Sequence, residues 1–133
     1  MNKQNDIAFG KKMEDETLPK LSYFGEVVKI DDQYFPFDFK TNNNKIFIEL
    51  KSRNNAKNTY PTTMVGQSKI DIAKTYPKKK FIFCFRFTDG LFYIPYDKDL
   101  FDTFEIKHMG RYDRGTAELN NYCLIPVDKL IAL

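Results

Sequence analysis

Two short stretches put carboxylates where strands would otherwise be apolar. In residues 45–51, Ile46, Ile48 and Leu50 alternate with Phe47, Glu49 and Lys51. Strand side chains alternate with a period of two, so Glu49 and Lys51 share one face. In residues 34–40, Phe35, Phe37 and Phe39 alternate, which predicts Asp38 on the face opposite to them. Asn42-Asn43-Asn44 between the two stretches is a turn signal. A hairpin closed over that turn would bring Asp38 beside Glu49. Two carboxylates held together in half-buried strands repel, and burying them without compensation costs on the order of several kcal/mol. A hard divalent cation such as Mg²⁺ compensates, because it prefers oxygen ligands and keeps several waters. A nearby ammonium, Lys51, would orient a water and stabilise developing negative charge. These parts describe metal-assisted hydrolysis of a phosphodiester. The competing reading is a surface hairpin whose polar face is simply wet. Glu49 and Lys51 alone favour that reading, and the elements around them shift the balance.

Those elements begin with a helix. Asn5 or Asp6 is a candidate cap, and Phe9, Met13, Leu21 and Phe24 recur at helical spacing with Leu18 at the edge of the stripe. Pro19, which lacks an N–H and clashes with the preceding turn, ends or kinks this helix. Strands are predicted over 24–30, 34–40 and 45–51, followed by a loop over 52–66 rich in Asn, Thr and Pro. Residues 67–76 read as a second helix. Residues 81–87 are nearly all apolar, as a central buried strand requires. Residues 91–95 return as a hairpin partner after Thr88-Asp89-Gly90. Short strands over 104–109 and 122–127 and a closing helical turn over 128–133 complete the chain. The order is α-β-β-β-α-β with extra C-terminal strands.

Phe37-Asp38-Phe39 followed by Ile46-Phe47-Ile48-Glu49-Leu50-Lys51 resembles the PD-(D/E)XK nuclease superfamily, over residues 10–87. The resemblance implies an α/β restriction-endonuclease-like fold, with an αβββαβ core and a mixed central sheet flanked by helices. It places Asp38, Glu49 and Lys51 at the centre of the site, with Phe37 standing where the superfamily's proline would be. Many members add a Glu from the first helix. At ~100° per residue, Glu14 falls nearer the Phe9–Met13–Leu21 stripe than Glu16 does, and Asp15 points away. Glu14 is therefore the choice and Glu16 the fallback, against the plainer reading of all three as solvated charges. Glu14, Asp38, Glu49 and Leu50 are the implied metal-holding positions, for Mg²⁺ or Mn²⁺. A Gln or Lys on the second helix often completes the site, and Gln67 and Lys69 fit, at a helix N-terminus whose free N–H groups suit a phosphate. The plainer readings are a helix-start residue for Gln67 and a solvated cation for Lys69. Gly10-Lys11-Lys12-Met13, Tyr60-Pro61-Thr62-Thr63-Met64 and Gly66-Gln67-Ser68-Lys69 are also similar to small phage and viral nucleases.

Composition sets the outer limits. The 133 residues fit one domain, 1–133, long enough to bury a core without staples. A net charge of +3 is compatible with a nucleic-acid partner and is weak support for one. Arg53, Lys57, Lys69 and Arg111 are the candidate backbone contacts, with Lys78, Lys79, Lys80 and Arg114 as further cations. Cys84 and Cys123 form no CxxC pair, which argues against a disulfide or thiolate metal site. The polar N-terminus is no secretory signal, and no apolar stretch is long enough to span a bilayer. The expected location is cytoplasmic, in a host cell if the chain is phage- or virus-encoded. A preference for Lys over Arg and abundant Asn, Ile, Phe and Tyr point to an AT-rich genome. His108 is the single histidine, which excludes HNH and other His-dependent hydrolases, and no GxxxxGK[ST] motif appears. The sequence thus predicts a metal-dependent endo- or exonuclease with DNA favoured over RNA. The alternatives are an RNA endonuclease of the same fold and a non-catalytic nucleic-acid-binding or regulatory protein. Monomer and homodimer both stay open.

Overall fold

Hydrophobic patterning sorts the chain onto two faces of a central sheet. The computed structural model describes residues 3–32, 34–111 and 118–133. Helix α1 (Lys3–Thr17) leads through a 3-10 turn (Leu18–Phe24) to strands β1 (Val27–Lys29), β2 (Phe39–Thr41) and β3 (Ile46–Ser52). A 3-10 turn (Lys57–Thr59), strand β4 (Thr62–Gly66) and helix α2 (Gln67–Thr75) carry the chain over to β5 (Lys80–Phe87) and β6 (Gly90–Pro95). Helix α3 (Lys98–Phe101), β7 (Ile106–Arg111), β8 (Glu118–Pro126), a 3-10 turn (Val127–Lys129) and β9 (Ile131–Ala132) follow.

The larger sheet has the order β1-β2-β3-β5-β6-β9, and the smaller β4-β8-β7. Only β3 and β5 pair in parallel, from Ile46 opposite Lys80 to Ser52 opposite Arg86, so the larger sheet is mixed. A parallel pair needs a crossover, and β4 with α2 supplies it. Strand β5 is buried on both faces. Its Phe81, Phe83, Phe85 and Phe87 join Ile70 and Ala73 of α2 and Val65 and Ile125 of the smaller sheet. Ile82 and Cys84 point the other way, to Leu21, Phe39, Ile48 and Leu50 beneath α1 and its 3-10 turn. The restriction-endonuclease-like α/β core is therefore present, with a second sheet added to it.

Several elements differ from the sequence expectation. Helix α1 starts at Lys3, so Asn5 and Asp6 lie within it and not at its cap. Pro19 stands in the 3-10 turn that succeeds the helix, and Gly25, at φ 123°, separates that turn from β1, which shortens the strand expected over 24–30. Residues 34–38 are irregular, with turn and bend at all but Phe37, in place of strand. The Asp32 carboxylate accepts the Tyr34 N–H at 2.9 Å and its carbonyl accepts the Phe35 N–H at 3.0 Å. Pro36 then has no N–H to give a ladder. Because the extended run is broken, Phe37 enters the α2-side core and Phe39 the α1-side core, and they do not face together. The loop expected over 52–66 contains β4, and the helical turn expected over 128–133 is confined to the 3-10 turn Val127–Lys129, after which β9 pairs with β6. The Asn turn does close a hairpin: Phe39 pairs with Ile48 and Lys40 with Phe47. Asn44 takes the left-handed conformation there (φ 58°), which Asn tolerates better than most residues.

Candidate active site

Asp38 sits just before β2 and is pinned from both sides. Its N–H donates to the Ile48 carbonyl at 3.0 Å, and its carbonyl accepts the Ile30 N–H at 2.9 Å. Its Oδ2 accepts the Leu50 N–H at 2.9 Å, which lays the carboxylate over β3 beside Glu49. Glu49 is only 4% exposed. Burial, then a hydrogen bond with Asp38 and the Asp38 charge, push its carboxyl up to about 8, against the opposing pull of Lys51 and Lys69. Glu49 therefore holds its proton near neutrality.

Lys69, on the first turn of α2, reaches this pair. Its Nζ lies 3.1 Å from Glu49 Oε2, donates to the Pro36 carbonyl and sits 5.5 Å from the centre of the Phe37 ring. The approach of Nζ to Oε2 lacks hydrogen-bond geometry, so Oε2 is a buried carboxyl oxygen without a hydrogen-bond partner among the described residues. Lys51 follows on the same strand and is half-buried. It lines a cavity of about 290 Å³ together with Glu14, Phe9, Leu50 and Asn54. Glu14 is raised above the usual carboxylate range, first by burial and next by Asp38, with Lys29 opposing at 4.0 Å. The acids that flank Glu14 on α1 are engaged elsewhere: Asp15 pairs with Lys29 at 3.0 Å and Glu16 with Arg86 at 2.9 Å. A carboxylate from the first helix, an Asp just before the second strand and a Glu-Leu-Lys run on the third therefore lie in one region.

The family described as "Phage putative PDDEXK endonuclease" matches residues 3–132. The chain belongs to this family. No curated protein and no solved structure gives a significant match.

In this PDDEXK chain the remaining sequence candidates separate. Leu50 turns its side chain into the α1-side core, so only its main chain can serve a metal. Gln67 is carried away from the carboxylates: its Nε2 donates to Asp71 Oδ1 at 3.2 Å and it lines a different pocket, with Ser68, His108 and Asn121. Lys69, one helical step on, is the α2 residue that meets Glu49. Arg53 is used internally. Its Nη2 donates to the Met64 carbonyl at 2.6 Å and its Nε to Thr63 Oγ1 at 3.2 Å, tying the end of β3 to β4. Lys57 Nζ lies 5.1 Å from the centre of the Phe92 ring. Arg111 ends β7, and its side chain, like the whole of Arg114, lies outside the described residues.

Pro36 and Phe37, which seat Lys69, carried no signal as site residues, because their contact with it spans more than thirty positions, |i−j| = 33 for Pro36. The donor set suits a hard cation: two touching carboxylates, one with an orphaned buried oxygen, next to a half-buried Glu14. Mg²⁺ commonly takes only one or two carboxylates and fills its other positions with water and phosphate oxygens. Among the described residues no three His, Cys, Asp or Glu side chains gather closely enough to hold a metal as a closed cage, so the Asp38–Glu49 pair is the fixed part of the site.

Proposed function

We propose that this chain is a divalent-metal-dependent nuclease that hydrolyses phosphodiester bonds in DNA. The observation that carries the reading is the Asp38–Glu49 pair, with a buried Glu49 oxygen that makes no hydrogen bond and lies 3.1 Å from the Lys69 ammonium. An acid raised by burial and then by its neighbour, with one oxygen lacking a hydrogen bond, is destabilising as a scaffold contact and useful as a cation ligand. The match over residues 3–132 supports reading 1–133 as one nuclease domain. Among the described residues no helix is long and apolar enough to cross a membrane. We place its action in the cytoplasm of the host cell, where its substrate would lie.

Asp38, Glu49 and the Leu50 carbonyl would hold Mg²⁺ or Mn²⁺, with Glu14 acting through bound water. When bound, the ion supplies charge neutralisation at the phosphate and lowers the barrier to deprotonating water. The chain's own residues do the rest. Glu49 must release its proton to become a ligand, and the Lys51 and Lys69 charges favour that release. Lys51, which lines the cavity with Glu14, would orient the attacking water and stabilise charge on the phosphate oxygens. The water oxygen gives up a proton to solvent and forms a bond to phosphorus, the bond to the leaving sugar oxygen breaks, and that oxygen takes up a proton from solvent. Lys69, held by Pro36, keeps Glu49 oriented.

The test is incubation of the purified protein with single-stranded, duplex and branched DNA and with RNA, in Mg²⁺, Mn²⁺ or EDTA, beside Asp38→Ala and Lys51→Ala. Metal-dependent cutting abolished in both variants is the expected result, and the substrate panel separates DNA from RNA. A folded protein that cuts nothing under any metal would leave a binding protein built on a nuclease fold.

A further inference from the structure

An aromatic slot opens beside the carboxylate pair, floored by the core rings Phe47 and Phe81 and edged by the exposed Phe35 and Tyr76. Phe35, Phe47 and Phe81 form a run of nearly parallel rings, with centroids 5.8 Å and 5.7 Å apart and interplanar angles of 26° and 22°. Tyr76, just past the end of α2, and Lys79 complete a cavity of about 420 Å³. Phe35 is 40% exposed and Tyr76 55% exposed, and the adjoining Tyr34 is 86% exposed. Large aromatics left in water at one place mark a binding surface more often than a folding requirement.

The slot is continuous with the site. Pro36 and Phe37 form part of its wall and are the same residues that seat Lys69 against Glu49. Phe47 stands two residues before Glu49 on the same face of β3, about 7 Å away along the strand. Charge at the slot is of one sign. Lys79 lines it, Lys45, Lys78 and Lys80 are exposed nearby at the foot of β3 and β5, and no Asp or Glu is among the described residues that line it. Stacked aromatic rings beside a positive track are how proteins hold unpaired nucleotides, since every base has a π-face and every linkage a negative charge. The volume suits one base and is too small for a protein helix.

We propose that this slot takes a single unpaired nucleobase of the substrate strand, stacked against Phe35 and Tyr76, one nucleotide from the phosphate under attack. The proposal rests on the nuclease reading and sharpens it: the preferred substrate has a single-stranded or splayed segment at the site. Phe35 and Tyr76 would then be specificity-determining residues with no part in bond breaking.

The test compares wild type with Phe35→Leu/Tyr76→Leu, which keeps apolar volume and removes the aromatic faces. Binding of a labelled single-stranded oligonucleotide carrying 2-aminopurine, and of a blunt duplex of the same sequence, is measured in EDTA at pH 7, where nothing is cut. The expected result is quenching of 2-aminopurine by wild type, its loss in the double variant, and about tenfold weaker single-strand binding, or about 1.4 kcal/mol, with duplex binding changed less than twofold. Circular dichroism checks the fold, and Tyr76→Leu alone, at an exposed position, reads the same quench if the double variant fails to fold. Undiminished quenching in a folded variant, equal losses on both substrates, or no single-strand binding by wild type overturns the slot. Quenching without any cutting in Mg²⁺ or Mn²⁺ would keep the slot and remove the nuclease reading. Cutting without quenching would do the reverse.

Discussion

Glu49 and Lys69 meet across two elements, a parallel-paired strand and the helix that precedes its partner strand, at 3.1 Å between Oε2 and Nζ. The contact joins a carboxyl that burial drives towards neutrality and an ammonium that pulls it back. With Asp38 on its other side, Glu49 is balanced between holding a proton and binding a cation. A local charge change should therefore move its behaviour more than it moves the fold.

Lys69→Met tests that balance directly. Removing the ammonium removes one of the two charges that lower Glu49, so the carboxyl titrates at still higher pH. Mn²⁺ binding, followed by calorimetry across pH 6 to 9, should need a higher pH to reach half of its maximum than in wild type. Lys69→Arg keeps the charge and should restore much of the profile. Identical profiles for Met and wild type would show that Lys69 is a surface cation with no hold on the site.

Metal-free stability should fall as pH rises. Glu49 is raised from 4.5 to about 8, so between those values the folded state binds more protons than the unfolded state does. The stabilisation is fully present below the unfolded value near 4.5 and is lost as pH rises through the folded value near 8, the direction opposite to a salt-bridged acid. The expected cost is on the order of a few kcal/mol at pH 9 relative to pH 5. Urea titrations in EDTA at the two pH values measure it. Glu49→Gln should flatten this dependence, and Mg²⁺ at about a hundred times its Kd should return roughly 2.7 kcal/mol to wild type at pH 9.

The legibility of this site has a physical pattern. Glu49 and Lys51 were readable because β3 is regular, and a period of two survives in the folded chain without tertiary information. Asp38 was placed correctly beside Glu49, although the reasoning through Phe35, Phe37 and Phe39 assumed a strand that Pro36 and the Asp32 turn interrupt. The hairpin register, set by Asn44 and the Asn turn, rescued the geometry. Strand β4 was hidden because Thr62–Gly66 pairs with β8, far along the chain, and its Thr-rich composition reads locally as a loop. Gln67 and Lys69 were indistinguishable in sequence. Which of them meets Glu49 depends on where α2 docks, and docking is decided by Ile70 and Ala73 against β5 and the smaller sheet. Arg53 looked like a phosphate contact because sequence shows a charge and hides the carbonyl it already serves.

Glu14 and Glu16 should part company. Glu14 shares a cavity with Lys51 and feels the Asp38 charge, whereas Glu16 is held by Arg86 at 2.9 Å on the side of the sheet covered by α1. Glu14→Gln is expected to lower kcat at least tenfold and to raise the Mg²⁺ concentration needed for half-maximal cutting. Glu16→Gln breaks a partly exposed pair worth ~0–1 kcal/mol and should leave cutting within twofold of wild type. The reverse ranking would move the helix carboxylate of the site to Glu16.

Arg53→Ala should act on stability and not on nucleic-acid affinity. Its guanidinium donates to Met64 and Thr63 and lies 5.9 Å from the centre of the Phe85 ring. Burial lowers its pKa from the usual arginine value, as expected for a cation surrounded by protein. Hydrogen bonds from a charged donor contribute ~1.5–3 kcal/mol, so the variant should unfold at lower urea by about that amount. A phosphate contact behaves differently: its loss weakens binding across sequences and reduces the slope of log affinity against log salt by about one. Affinity for a single-stranded oligonucleotide measured at several salt concentrations separates the two roles. An unchanged slope with a lowered unfolding midpoint assigns Arg53 to the junction of β3 and β4. A slope reduced by about one would return it to the nucleic-acid surface and make Lys57, beside it in the same cavity, the next residue to remove.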